Sequence, residues 1–344
     1  MHDLCLGCFP TTIEILLRKL IESGVVTLDE INGFIKDFDY GYSEITSKPA
    51  EIKLQHLEQG LHQSATEMWQ LAVMLPLLIG PRMDVDSDVW NVYLCLLQVS
   101  MIIFARKFSS DMLGFLQAKL TEYAEGFLRC YRNTLKPKQH YLMHYVHYIS
   151  QYGPIAPLWS MRMEARHQPF KRLAEKMRNF KNIALSLAKR NQLWEASQRF
   201  SEHFQRVDVT MCGGGVQVAA KSCAYKAVLP DDMDFVIEVP YVEANNMMLT
   251  ARECCLAIDF DFENSLPTFG YLHAIIMVND IPSLVCKAMV TVCFDANLNG
   301  YEVEVSDDFL LIAVSDLYTE AVFHWHSYHG KKFVIVKGAL GPLF

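Results

Sequence analysis

Through the first two hundred positions, apolar residues recur every three to four places, the spacing that gathers them on one face of a helix. Over 12–23 that face is Ile13, Leu16, Leu17, Leu20 and Ile21, and Gly24 ends it. Thr27 and Glu30 precede Ile31, Phe34, Ile35 and Phe38; Ser64 and Glu67 precede Met68, Leu71, Ala72 and Leu75. Both pairs have capping-box spacing, in which a hydroxyl and a carboxylate satisfy free N–H groups at a helix start. A long apolar helix is predicted after Asp88 and another over 110–131, with Lys136-Pro137-Lys138 as the break. Shorter helices are predicted over 140–149 and within 160–199.

Beyond 204 the period changes. Short β-branched and aromatic runs at 234–241, 271–278, 285–294, 301–305, 309–314 and 333–336 alternate with turn residues such as Gly213-Gly214-Gly215, Asn297-Leu298-Asn299-Gly300 and His329-Gly330. Strands with turns about every ten residues predict a small barrel or sandwich. The expected fold class is α+β: a helical domain over 1–204, then a β-rich domain over 205–344.

Composition narrows this picture. With 344 residues, 51% hydrophobic and 20% charged, the chain can bury a sizeable core, which excludes disorder. The uncharged run 89–105 is interrupted by Asn91, Gln98 and Ser100, and it reads as a buried helix rather than a membrane span. No membrane is expected as a partner. The ten cysteines follow no secretory leader, so free thiols in a reducing compartment, nucleus or cytoplasm, are expected. Cys5-x-x-Cys8 has metal-ligand spacing, but no second such pair follows.

Charge is polarised. Residues 1–135 carry net −6, residues 136–206 net +9 and residues 207–344 net −11. The basic block could meet a polyanion, or it could pair with the acidic tail of its own chain. Within it, His140 and His144 stand four apart, which on one helix face offers two nitrogens to a metal; the spacing alone favours histidines with hydrogen-bonded or core roles. Glu164 lies among bases, either as a ligand for Mg²⁺ or Mn²⁺ or as a partner for Arg162 or Lys171. No HExxH is present and no GK[ST] follows 213–215, which disfavours a stand-alone metallohydrolase and a P-loop.

Four blocks, taken in order, resemble DDE transposases of the CACTA/Mirage/Chapaev group: Met1-His2-Asp3-Leu4-x-Leu6-Gly7; Lys138-x-His140-Tyr141-Leu142-x-His144-Tyr145; Gly153-Pro154-x-x-x-Leu158-Trp159-x-Met161-Arg162-x-Glu164-x-x-His167-x-x-Phe170-Lys171; and Phe180-Lys181-Asn182 with Leu187-Ala188-x-Arg190. The resemblance covers about residues 1–200. It implies an RNase H-like core with two Asp and one Glu, and a helical insertion ahead of the Glu that 11–135 would match. Glu164 would be the third acid. His140 and His144 would match a pair that, in the related V(D)J recombinase, completes a zinc site with an upstream CxxC. The β-rich tail would be an accessory domain. The family's two Asp and its CxxC lie upstream of the Met1-His2-Asp3-Leu4 motif; Asp3, Cys5 and Cys8 are not their equivalents. One Glu cannot hold two cations.

The expectation is therefore a catalytically silent C-terminal part of a transposase. No cofactor is expected from this chain, with Mg²⁺ or Mn²⁺ and Zn²⁺ entering only beside the upstream part. DNA phosphates would meet Arg162, Arg166, Lys171, Arg172, Lys176, Arg178 and Lys181, and a second copy of the chain is a further candidate partner. The alternative is a helical interaction or scaffold protein without DNA binding. A salt-dependent duplex assay separates the two.

Overall fold

The computed structural model describes residues 2–84, 86–105, 108–131, 134–158, 167–178, 180–200, 211–230, 233–244, 247–278, 281–338 and 340. Helices α1 (Phe9–Glu22), α2 (Leu28–Asp37), α3 (His56–Gln59), α4 (Ala65–Ile79), α5 (Asp88–Ile103) and α6 (Ser110–Tyr131) build the N-terminal body. Helices α7 (Pro137–Leu142), α8 (Tyr145–Tyr152), α9 (His167–Met177) and α10 (Ile183–Phe200) follow. Both predicted capping boxes form: Thr27 accepts from the Glu30 N–H and Ser64 from the Glu67 N–H, while each glutamate accepts from its cap's own N–H. Past its partly exposed first turn, helix α5 is apolar nearly all round because it is enclosed all round, with every residue from Val92 to Ile103 buried. Among the described residues no helix is long and apolar enough to cross a membrane.

Among the described residues the last α-helix is α10, and the first strand begins at Met211. The strands are β1 (Met211–Cys212), β2 (Val216–Ala219), β3 (Phe235–Val239), β4 (Tyr241–Ala244), β5 (Met247–Thr250), β6 (Cys255–Asp261), β7 (Leu266–Val278), β8 (Ile281–Asp295), β9 (Gly300–Ala313), β10 (Val322–Phe323), β11 (Trp325–Tyr328) and β12 (Lys331–Val334). β1, β4 and β5 form a small sheet; the others form one antiparallel sheet in the order β10-β6-β7-β8-β9-β12-β11, with β3 on β7 and β2 on β3. Side chains alternate between two cores. From β6, Cys255 and Ala257 join Phe269, Met289 and Tyr301, whereas Leu256 joins Val242, Leu249, Leu272 and Leu284 under the small sheet.

Of the expected barrel or sandwich, no closed barrel forms among the described residues. The large sheet is open: β10 is one edge and β11 the other, and only His324 separates them in the chain. One extended segment thus serves both edges of a curled sheet. Two predicted strands, 301–305 and 309–314, are a single β9. The polar Ser306-Asp307-Asp308 between them is a bulge: the pairing jumps from Lys287 opposite Phe309 to Met289 opposite Val305.

The helical and strand parts share core. Leu298, Phe333 and Ile335 pack in the helical cluster, and Met101 of α5 packs in a sheet cluster. The β8–β9 turn is held by Asp295, whose Oδ1 accepts from the N–H groups of Asn297 and Leu298 at 2.9 Å each. Its tip docks on α4 and α5, with Asn297 donating to the Gly80 carbonyl at 2.7 Å and accepting from the Trp90 indole. A Cβ on Gly80 would stand 2.7 Å from the Asn297 carbonyl oxygen, so this approach requires glycine.

Candidate functional site

The first two resembling blocks, some 130 residues apart, come together in space. Residues Leu4–Cys8 form a π-turn that runs into α1, and Leu6 leaves helical geometry at φ −112, ψ 16. Lys138 of α7 donates to the Leu6 carbonyl at 2.7 Å. Its stem crosses Gly7 so closely that a Cβ there would stand 2.4 Å from Lys138 Cδ. Tyr145 donates to Asp3 Oδ2 at 2.8 Å; burial first, then the Asp3 carboxylate, push this phenol's pKa upward. Cys5 and Cys8 are fully buried in the helical core. Burial raises the Cys5 thiol to about 12 and the Cys8 thiol further.

His140 and His144 meet, but not on one helix. α7 stops at Leu142 and His144 is the cap of α8. The Met143 and His144 N–H groups bond to the His140 and Tyr141 carbonyls, at 3.1 Å each, tightening the chain between the helices. The two Nε2 atoms lie 3.3 Å apart and the exposed rings stand edge to face at 83°. Two nitrogens each about 2.0–2.1 Å from a tetrahedral zinc stand roughly 3.4 Å apart, so the pair has the bite of one divalent cation. Among the described residues no third His, Cys, Asp or Glu gathers with them. They would supply two ligands, with the remainder from outside this set.

The basic residues line a pair of helices with little burial. Lys171, Arg172 and Lys176 on α9, and Arg178 and Lys181 in the link to α10, are all exposed. Arg178 and Asn182 have left-handed backbones, φ 48 and 54, where the chain turns between the helices. Arg162, Glu164 and Arg166 lie outside the described residues. The expected pairing of Glu164 with Arg162 or Lys171 therefore falls outside them too. Apolar side chains are interleaved with the bases: Phe180 is 70% exposed, Leu193 70% and Trp194 54%.

A second concave region, which no sequence motif announces, lies where the loop after α2 meets β10 and β11. A cavity of about 960 Å³ there is lined by Ser43, Glu44, Met74, Phe104, His324 and Lys337, among others. A neighbouring cavity of about 850 Å³ shares Tyr42, His324 and His326 with it. The charged groups within come from distant positions: Lys337 Nζ lies 2.5 Å from Glu44 Oε2 and 2.6 Å from Gln70 Oε1. Burial lowers the Lys337 pKa although Glu44 opposes the shift. Only the Asp39–Gly41 turn signals this place in the sequence, and a turn names no chemistry. Compared with protein-family models, with curated proteins and with solved structures, the chain gives no match.

Proposed function

We propose that this is a transposase-derived protein that associates with DNA through the basic segment 136–206 and does not itself cut it. One observation carries the reading: Lys171, Arg172, Lys176 and Arg178 are exposed on one helix and its following link, where a polyanion can reach them. Cations so arranged contact phosphates and carry no base code. The docking of Lys138 and Tyr145 on Leu6 and Asp3 supports the family reading, since it gives two of the four resembling blocks a common structural purpose. Glu164 stands as the vestigial third acid of an RNase H-like core, and the His140–His144 pair as half of a zinc site. The family's two Asp have no counterpart in this reading, so a Mg²⁺ ion would find one protein carboxylate and mostly water.

The test is duplex binding against salt. Five to seven phosphate contacts give a log–log slope of about −4.5 to −6. Lys171→Glu with Lys176→Glu should weaken binding and flatten that slope by about 2. A flat slope in the parent chain would sink the proposal. Mn²⁺-dependent nicking that vanishes in Glu164→Gln would sink its second half. The interaction-protein alternative is favoured by the apolar side chains exposed on α10, Leu193 and Trp194 among them; it predicts salt-insensitive self-association and no duplex affinity.

A further inference from the structure

Ser43 and His324 are 281 residues apart in the chain, yet Ser43 Oγ lies 2.9 Å from His324 Nε2. The other ring nitrogen, Nδ1, lies 3.0 Å from the Glu253 carbonyl oxygen. A carbonyl only accepts, so Nδ1 carries the proton and Nε2 is left with a lone pair facing the serine hydroxyl. The imidazole is also fixed in place. Gly41 lies against it so closely that a Cβ would stand 2.5 Å from the ring, and the left-handed φ of +68 at that position favours glycine as well. The Tyr42 ring meets the imidazole edge to face at 86°. Both Ser43 and His324 line the cavity of about 960 Å³.

We propose that Ser43, with His324 as general base and the Glu253 carbonyl as its orienting group, is a nucleophilic centre for acyl transfer from a carboxylic ester with an apolar acyl chain. The arrangement of nucleophile, base and orienting third group at hydrogen-bond distances is what activation of a serine requires. The cavity supplies the substrate class: Met74, Phe104, Met247, Met248 and Leu317 form apolar walls. Lys337, held by Glu44, is the fixed cation that the same cavity offers to a developing oxyanion. Burial first, with Lys337 in the same direction, lowers the His324 pKa against the opposing pull of the Glu253 carbonyl, Glu44 and Asp39, which favours the neutral base. In the first step the Ser43 Oγ–C bond forms, its proton passes to Nε2, and the ester C–O bond breaks as the alcohol takes that proton. Water then attacks the acyl-serine, delivers its hydroxyl to the acid product, and the remaining proton returns to Oγ through His324.

The serine comes from the helical part and the base from the strand part, so the centre exists only in the assembled fold. The test uses the whole chain and an alkyl fluorophosphonate, which forms an Oγ–P bond and releases fluoride. The expected result is one adduct per chain, mapped to Ser43 by peptide mass spectrometry and absent in Ser43→Ala; this exposed serine can be truncated without loss of fold. His324→Gln should label at least tenfold more slowly. Hydrolysis of p-nitrophenyl octanoate should exceed that of the acetate and vanish in Ser43→Ala. If His324→Gln fails to fold, native and urea-unfolded parent chain are compared instead, because an unactivated serine reacts equally in both. No adduct, an adduct at another residue, or equal labelling of native and unfolded chain overturns the proposal.

Discussion

Pro76 sits inside α4, where it cannot donate a hydrogen bond to the Ala72 carbonyl four residues back. In a buried helix that orphaned oxygen would cost about 1–3 kcal/mol. The Tyr93 hydroxyl of α5 donates to it, so one phenol repairs the defect and ties α4 to α5. Tyr93 is completely buried, which drives its pKa well above the usual phenol value. Tyr93→Phe should therefore lower unfolding free energy by about 1–3 kcal/mol while leaving secondary structure intact, as measured by urea denaturation. A neighbouring polar group is satisfied in the same manner: Tyr123 receives Gln139 at 2.8 Å and shares a 3.1 Å hydrogen bond with Thr12, joining α1, α6 and α7.

At the scale of elements, connections decide more than the elements themselves. The β8–β9 turn seats Leu298 in the helical core, where it is 5% exposed. Leu298→Ala should cost about 2–4 kcal/mol, a core penalty at a residue the sequence puts in a turn. Differential scanning calorimetry would check it; a shift below 1 °C would mean that the tip does not bear on the core. The break between α7 and α8 shows the same thing from the other side. A continuous helix would also bring residues i and i+4 together, but the tightened turn turns both imidazoles to a 3.3 Å separation.

Across the whole molecule, the helical and strand parts meet at a seam rich in titratable groups. His326 packs against Phe38, the residue that follows α2, with ring centres 4.8 Å apart and planes tilted by 33°. Burial, then the neighbouring His324, lower its pKa to about 4, against the pull of Asp39. The sign follows from linkage. An unfolded histidine takes its proton near pH 6.5, whereas this one refuses it until about pH 4, so the stabilisation is complete above 6.5 and is lost as pH falls through that window. The loss is on the order of 3 kcal/mol by pH 4, and His324, also lowered, adds to it with the same sign. Urea midpoints at pH 7 and pH 4.5 should differ accordingly, and His326→Phe, which keeps the ring contact, should shrink the difference. Equal pH dependence in that variant would place the titration elsewhere.

Local rules reach as far as the local interactions that cause them. Capping boxes at Thr27 and Ser64, the helix over 110–131, the enclosed α5 and the change of period past residue 204 all arise from neighbours within one or two turns of chain. The exposed cations of α9 were equally legible, because charge is written in composition. The continuity of β9 was not: a bulge depends on the partner strand, and Lys287 and Met289 of β8 set it. Nor was the curl that lets one segment serve both edges of the sheet. The meeting of Leu6 with Lys138, of Asn297 with Gly80 and of Ser43 with His324 required the closure of loops of one to three hundred residues. Such contacts form when buried apolar surface compensates the entropy of closing those loops, a sum over the entire chain that no short window contains. Sequence alone thus determined the elements and the sign of the charged surface. Tertiary structure decided which distant side chains share a cavity, and with it the chemistry available there.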